Sequence, residues 1–286
     1  MAEKHKKEGF TGQKMIVVPR RILTDLCEPN GIISHLYLTD IGYYPQASFH
    51  YRARPRGAEE HIFIYCQQGV GNVVVNDQSY ELVAGDFILI PQEIPHHYRS
   101  STHHPWTIYW LHFRGRKSHH VVQWMTNQIA GLKGFVRHPD HCLELFRDMH
   151  DQLARGYSLD ILVYVNTCLA HFLSTLIFHN RMEPKPSHDN QDYIDRAIAY
   201  FQVHLHQSLS LSAMAAAVNL STSHFAYLFK KKTGFPPIEY FNQLKMQQAC
   251  QYLLLENRRI KEIAERLGIT DPQSFSRLFT KIMGRS

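Results

Sequence analysis

The stretch 263-IAERLGITDPQSFSRLFTKIMG-284 has a near-copy upstream, 214-MAAAVNLSTSHFAYLFKKKTG-234. Superposed, Ala215 falls on Ala264, Val218 on Leu267 and Leu220 on Ile269; then Phe225 falls on Phe275, Leu228-Phe229 on Leu278-Phe279, Lys231 on Lys281 and Gly234 on Gly284. The offset is 49 before the break and 50 after it, so the second copy has one extra turn residue. Fixed apolar positions around an adjustable turn imply one small unit used twice. Each copy reads as a short helix, a break of three or four residues and a second helix that opens on small polar side chains, the pattern of a helix-turn-helix. Ala215 and Ala264 let the paired helices approach closely, while Phe225, Leu228, Phe275 and Leu278 pin the second helix to a core. Ser210 is a good N-cap before LSAMAAAVN, and a preceding helix is expected over about Tyr193–His206.

Between the copies, 238-IEYFNQLKMQQACQYLLLEN-257 follows Pro236-Pro237 and contains no breaker, so it reads as one helix of about 30 Å at ~1.5 Å per residue. One turn of B-DNA is about 34 Å. A rod of that length suits two helices entering successive major grooves. Charge agrees: residues 190–286 carry 12 Lys+Arg against 7 Asp+Glu, so +5 of the chain's formal +6 lies here, as a polyanionic partner requires.

Upstream, IISHLYLTDIG, HIFIYCQQG, NVVVNDQSYEL, DFILIP and WTIYWLHFRG are short β-branched and aromatic runs broken by Gly and Asn-Asp. Asn76-Asp77 between Val73/Val75 and Tyr80/Leu82 predicts a hairpin, and closely spaced strands predict a small barrel or sandwich over 15–117, after a flexible arm at 1–14. Residues 118–180 read as helical. Leu162, Val165, Leu169, Phe172 and Leu176 form a stripe expected to be a dimer seam, the alternative being that it packs onto the barrel of its own chain. The 18-residue run 161–178 is apolar, but Asp160, Thr167, His171 and Ser174 recur at helical spacing, so a buried amphipathic helix is expected rather than a membrane span. Proline-rich 181-RMEPKPSHDNQ-191 is the expected linker. Five cysteines without a CxxC pair, and a basic N-terminus with no apolar stretch behind it, point to a reducing cytoplasm and no signal peptide.

IKEIAERLGITDPQSFSRLFTKIMG resembles the signature of the AraC/XylS family of bacterial transcription regulators, and 192–286 resembles that family's DNA-binding domain. The resemblance implies an α+β chain with a cupin-like barrel, a helical dimerisation segment and an all-α domain of two helix-turn-helix units. It also implies that Ser223–Lys232 and Gln273–Lys281 enter the major groove. Carried over by position, base-facing residues are Ser223, Ala226 and Tyr227, then Pro272, Gln273 and Arg277, with Ser276 a further DNA-binding residue. Arg277 and Gln273 have the chemistry for guanine and adenine edges, whereas Lys230, Lys231, Lys232 and Lys281 suit phosphates. Ala226 and Tyr227 depart from the polar residue and arginine often found there, so the first unit is expected to read by apolar contact or to anchor.

GDFILIPQEIPHHY (85–98) resembles the second cupin motif, and RPRG (54–57) with EIPHHY…WTIYWLHFR (93–114) resembles the family's sugar-sensing barrel. The resemblance puts ligand contacts on Arg54, Tyr98 and Trp110: an indole face packs on a sugar ring while guanidinium and phenol bond its hydroxyls. A further sugar-contacting histidine falls on Ile108. Cupin enzymes use an HxH…E strand and a later histidine. His96 fits the later position, but 50-HYR-52 offers one histidine and Glu60-His61 is out of order, so no metal, cofactor or catalytic residue is expected. The expected partners are promoter half-sites in double-stranded DNA, a small effector such as a saccharide, RNA polymerase and a second copy of the chain. The competing readings are a cupin metalloenzyme and a regulator whose barrel is only a scaffold.

Overall fold

The computed structural model describes residues 5–137, 139–182, 193–255 and 259–284. The chain divides into two compact units, Met1–Glu183 and Pro184–Ser286.

In the first unit, alternation with a period of two builds two antiparallel sheets. β1 (Lys14–Val17) precedes a short helix α1 (Arg20–Ile22) that widens into a π turn at Leu23–Cys27. Then come β2 (Tyr37–Tyr44), β3 (Tyr51–Arg54), β4 (His61–Gln68), β5 (Val70–Val75), β6 (Gln78–Val83), β7 (Asp86–Ile90), β8 (His96–Ser100) and β9 (Thr107–Arg114). α2 (Ser118–Ile129), β10 (Lys133–Phe135), α3 (Pro139–Ala154) and α4 (Leu159–Met182) complete it. The six-stranded sheet has the order β1-β2-β9-β4-β7-β10 and the four-stranded sheet β3-β8-β5-β6. The Asn76-Asp77 hairpin is present, with both residues at positive φ (46° and 65°), as a tight primed turn needs.

Strand β9 shows why its sequence is apolar throughout. Ile108 and Trp110 point into the core between the sheets, with Ile62, Ile64, Val73 and Tyr98. Tyr109, Leu111 and Phe113 point the other way, into a second core shared with α2, α3 and α4. Successive side chains of a strand face opposite sides, and here both sides are covered.

Three expectations need correction. The stripe Leu162, Val165, Leu169, Phe172 and Leu176 is buried in that second core, against the unit's own sheet, and is no free dimer seam. Residues 118–180 are not wholly helical, because β10 pairs with β7, with Gly134 directly over the Phe87 ring. From His5 onward the expected flexible arm is held to the barrel: Lys6 N–H donates to the Phe49 carbonyl (2.9 Å), Tyr51 N–H donates to the Lys6 carbonyl (3.0 Å), and Phe10 is buried. By length and composition α4 could cross a membrane. Its apolar face is core, however, and Asp160, Thr167, His171 and Ser174 are exposed. Of the expected linker 181–191, Arg181 and Met182 end α4 and the rest lies outside the described residues.

The second unit is helical: α5 (Tyr193–Val203), α6 (Leu211–Ala216), α7 (Thr222–Thr233), α8 (Pro237–Leu255), α9 (Ile260–Arg266) and α10 (Pro272–Met283). Helix α5 stops three residues before the expected His206. The Ser210 hydroxyl caps α6, accepting from Ala213 N–H at 3.2 Å. Helices α7 and α10 both end on a left-handed glycine, Gly234 (φ 82°) and Gly284 (φ 76°), which explains why these glycines recur at matching places. Each copy has its own small core, one around Phe201, Phe225 and Phe229, the other around Ile263, Leu267 and Phe275.

Candidate functional sites

The barrel holds a cavity of about 130 Å³. Arg54 on β3, Tyr98 on β8 and Trp110 on β9 all line it, so three residues distant in sequence meet at one place. Trp110 is paired in register with Gly42 of β2. A Cβ at position 42 would come within 2.5 Å of the indole, so this glycine lets the ring lie against the neighbouring backbone. Trp110 is 8% exposed, and its Nε1 is buried without an acceptor among the described residues. The ring is therefore both core and cavity wall. Arg54 Nη1 donates to Tyr98 Oη at 3.2 Å and lies 3.5 Å from His96 Nε2. Ile108, where the family resemblance puts a histidine, lines the cavity too.

The cavity also contains groups that the sequence reading missed. Asp40 Oδ2 lies 3.3 Å from His112 Nδ1 and accepts from Thr39 Oγ1 at 2.8 Å. Burial alone would raise the Asp40 carboxyl, but the bond and charge from His112, the Thr39 hydroxyl and the nearby Arg54 bring it below its ordinary value. Arg52 and His50 line the wall, as do Lys7 and Glu8 from the N-terminal stretch. His50 Nδ1 accepts from Trp106 Nε1 at 3.2 Å. Burial, followed by the charges of Arg52 and Arg54, pushes its pKa down to about 3. An acid inside the apolar run YLTDIGYY was the one signal that could have pointed to Asp40. A second hollow, about 340 Å³ and lined by Tyr51, Asn72, Arg99 and Thr102 among others, holds none of the three expected ligand residues. Among the described residues no group of three or more His, Cys, Asp or Glu side chains is placed to hold a metal.

In the second unit, Ser223, Tyr227, Lys230 and Lys231 are exposed on α7, at the spacing of one helical face. Tyr227 is 64% exposed, with Lys231 Nζ 6.0 Å from its ring centre. Ala226 is half-buried beside them. Lys232, expected at phosphate, instead donates to Asp195 at 2.8 Å. On α10, Gln273, Ser276, Arg277 and Lys281 are exposed. Pro272 occupies the first turn, where a missing N–H costs nothing. Asp271 caps the helix, accepting from Gln273 N–H (3.2 Å) and Ser274 N–H (2.8 Å). Arg277 Nη2 turns back toward the Ser274 hydroxyl (3.4 Å) and Asp271 (3.7 Å). The Ser276 hydroxyl donates to the Pro272 carbonyl at 3.0 Å, so it is engaged along its own helix. Helix α8, 19 residues and so about 28 Å long, joins the two copies. Its buried Lys245, also missed, donates to the carbonyls of Gln207 (2.8 Å) and Leu267 (2.6 Å), tying the loop after α5 to the end of α9.

Comparison with known proteins assigns both units. A family model described as an AraC-like ligand binding domain matches residues 41–162, and a helix-turn-helix domain model matches residues 214–286. The MmsAB operon regulatory protein of Pseudomonas aeruginosa is 31% identical over 258 residues, spanning 88% of this chain and 81% of its own. The arabinose operon regulatory protein of Escherichia coli is 28% identical over 243 residues, 82% and 80% of the two chains. The lactose operon transcription activator of Staphylococcus xylosus is 26% identical over 226 residues, 75% and 77%.

Proposed function

Since the chain belongs to the AraC family of DNA-binding transcription regulators, and is not an enzyme, we propose that it controls a carbohydrate-utilisation operon in response to a small saccharide-type effector held in the barrel. Effector binding changes how the DNA-binding units of a homodimer are placed, and so whether promoter half-sites are bridged. The dimer forms through a face other than the buried Leu162–Leu169–Leu176 stripe, and the protein acts in the cytoplasm, where it meets RNA polymerase. Ser223, Tyr227, Gln273, Ser276 and Arg277 face the bases in this reading, and Lys230, Lys231 and Lys281 the phosphates. The observation that carries the effector assignment is the convergence of Arg54, Tyr98 and Trp110 on one cavity. Relatives named for arabinose and lactose operons support the saccharide class.

The test is a panel of monosaccharides and their derivatives, read by melting temperature and by effector-dependent DNA binding. Trp110→Phe should keep part of the response and Trp110→Ala should abolish it, while DNA binding without effector persists. A Trp110→Ala protein that responds like the unmutated one would remove the barrel cavity from the reading.

A further inference from the structure

If the barrel cavity is the effector site, as proposed above, the charge of its walls narrows the effector further. Lys7, Arg52 and Arg54 bring three cationic groups to the wall, and Glu8 and Asp40 bring two carboxylates. Asp40 is already engaged by His112 and Thr39, and Glu8 stands exposed on the N-terminal stretch. Arg54 is half-buried, yet its contacts, Tyr98 Oη and His96 Nε2, are both neutral. Burial lowers the His96 pKa and so favours the neutral ring; its Nδ1 lies 2.8 Å from the Ile94 carbonyl, which can only accept, so Nε2 is left as the acceptor. Among the described residues no carboxylate lies within ion-pair distance of Arg52 or Arg54. A guanidinium cannot shed its charge, and a desolvated cation without a counter-charge is unfavourable. Trp110 Nε1 is a further donor lacking an acceptor. The unsatisfied groups of the wall are donors and cations, while its best-buried anion is already taken.

Size sets the second limit. A cavity of about 150 Å³ accommodates benzene, so one of about 130 Å³ suits a ligand of roughly six to ten heavy atoms. A disaccharide would have to extend out of the cavity mouth.

We propose that the effector is a small hydroxylated monocarboxylate, a sugar acid or a short hydroxy acid, whose carboxylate is received by the Arg54 and Arg52 guanidinium groups while Trp110 and Tyr44 wall its carbon chain. Planar two-point recognition of a carboxylate is what a guanidinium does better than any other side chain. A neutral sugar would leave both arginines without a carboxylate at ion-pair distance.

Matched pairs within that size test this on the full-length protein at constant ionic strength: l-threose against l-threonate, d-erythrose against d-erythronate, and glycerol against glycerate. At least one acid should raise the melting temperature by several degrees at millimolar concentration, with its neutral partner giving less than a tenth of the apparent affinity. Arg54→Met should weaken the acid at least tenfold and Arg54→Lys less. Arg52→Met provides an independent variant should position 54 prove necessary for folding. A neutral sugar that stabilises as well as its acid overturns the anionic effector and leaves the saccharide reading standing. An acid that binds Arg54→Met and Arg52→Met as it binds the unmutated protein also overturns it. If no member of any pair shifts the melt, both this inference and the reading beneath it fall.

Discussion

Arg277 lies with its guanidinium turned back toward Asp271 and Ser274 at the start of its own helix. Both ends of that contact are exposed, so releasing it costs little, and in the proposed reading the freed guanidinium turns to a base edge. Arg277→Ala should therefore cost about 1–3 kcal/mol of specific binding and relax preference at one base position. Lys231→Ala should weaken binding to all sequences alike and reduce the salt slope by about one. Anisotropy titrations across a potassium chloride series separate the two, and an equal loss of specific and non-specific binding in both variants would remove α10 from the groove. In the barrel, His50 makes a second residue-scale case. Its Nδ1 must stay unprotonated to accept the Trp106 indole N–H, and its pKa is about 3 against an ordinary 6.5. Between those values the unfolded chain takes up a proton that the folded chain refuses, so stability falls as pH drops, by up to about 1.4 kcal/mol per pH unit. His61, pushed down to about 4 by burial first and His119 after it, adds to the slope. His50→Gln keeps an acceptor but removes the titration, and should flatten the dependence in urea melts below pH 6.5. All three tryptophans (106, 110 and 124) belong to the first unit, so indole fluorescence follows that unit alone.

Helix α4 shows what periodicity can and cannot establish. A stripe at spacing three and four marks the face that leaves water, not the surface that covers it. The cover here is the unit's own sheet: Phe172 packs edge-on against Phe63 of β4 (5.3 Å between ring centres). Asn166, also on the buried side, accepts from Leu38 N–H at 2.7 Å, beside the register shift between Leu38 and Asp40 where β2 bulges. That bond ties the helix to an irregularity in its own sheet, a role no intermolecular seam would need. Leu169 is fully buried, and Leu169→Ala should cost about 2–5 kcal/mol of unfolding free energy, read from tryptophan-detected urea melts. A loss of subunit association with no loss of stability would return the stripe to the seam. Among the elements that sequence reading missed, β10 is only three residues long. No alternating pattern can emerge over so short a run, and pairing with β7 is what makes it a strand.

At the scale of the molecule, the contact pattern separates Met1–Glu183 from Pro184–Ser286, each with cores of its own. The 184–286 fragment should melt cooperatively alone and bind DNA with the salt slope of one copy of the intact chain, without effector response. A fragment that fails to fold would mean that the first unit completes its core. The double helix-turn-helix was legible in the sequence because its signals are local: the Ser210 cap, the small Ala215 and Ala264, and the left-handed Gly234 and Gly284 all lie within one turn of what they control. The barrel was legible as strands, through alternation and the Asn76-Asp77 turn. Its cavity was not legible from patterning, and Arg54, Tyr98 and Trp110 were found only through a family resemblance. These residues lie on three strands of two sheets, and register, the Gly42 opening beside the indole and the docking of residues 5–13 decide that they share a wall with Asp40, Arg52 and His112. Local chemistry sets where a helix begins, ends and turns its apolar face. What stands opposite that face, and which charges are left without partners, depends on contacts between residues tens of positions apart, and these exist only once the chain has folded.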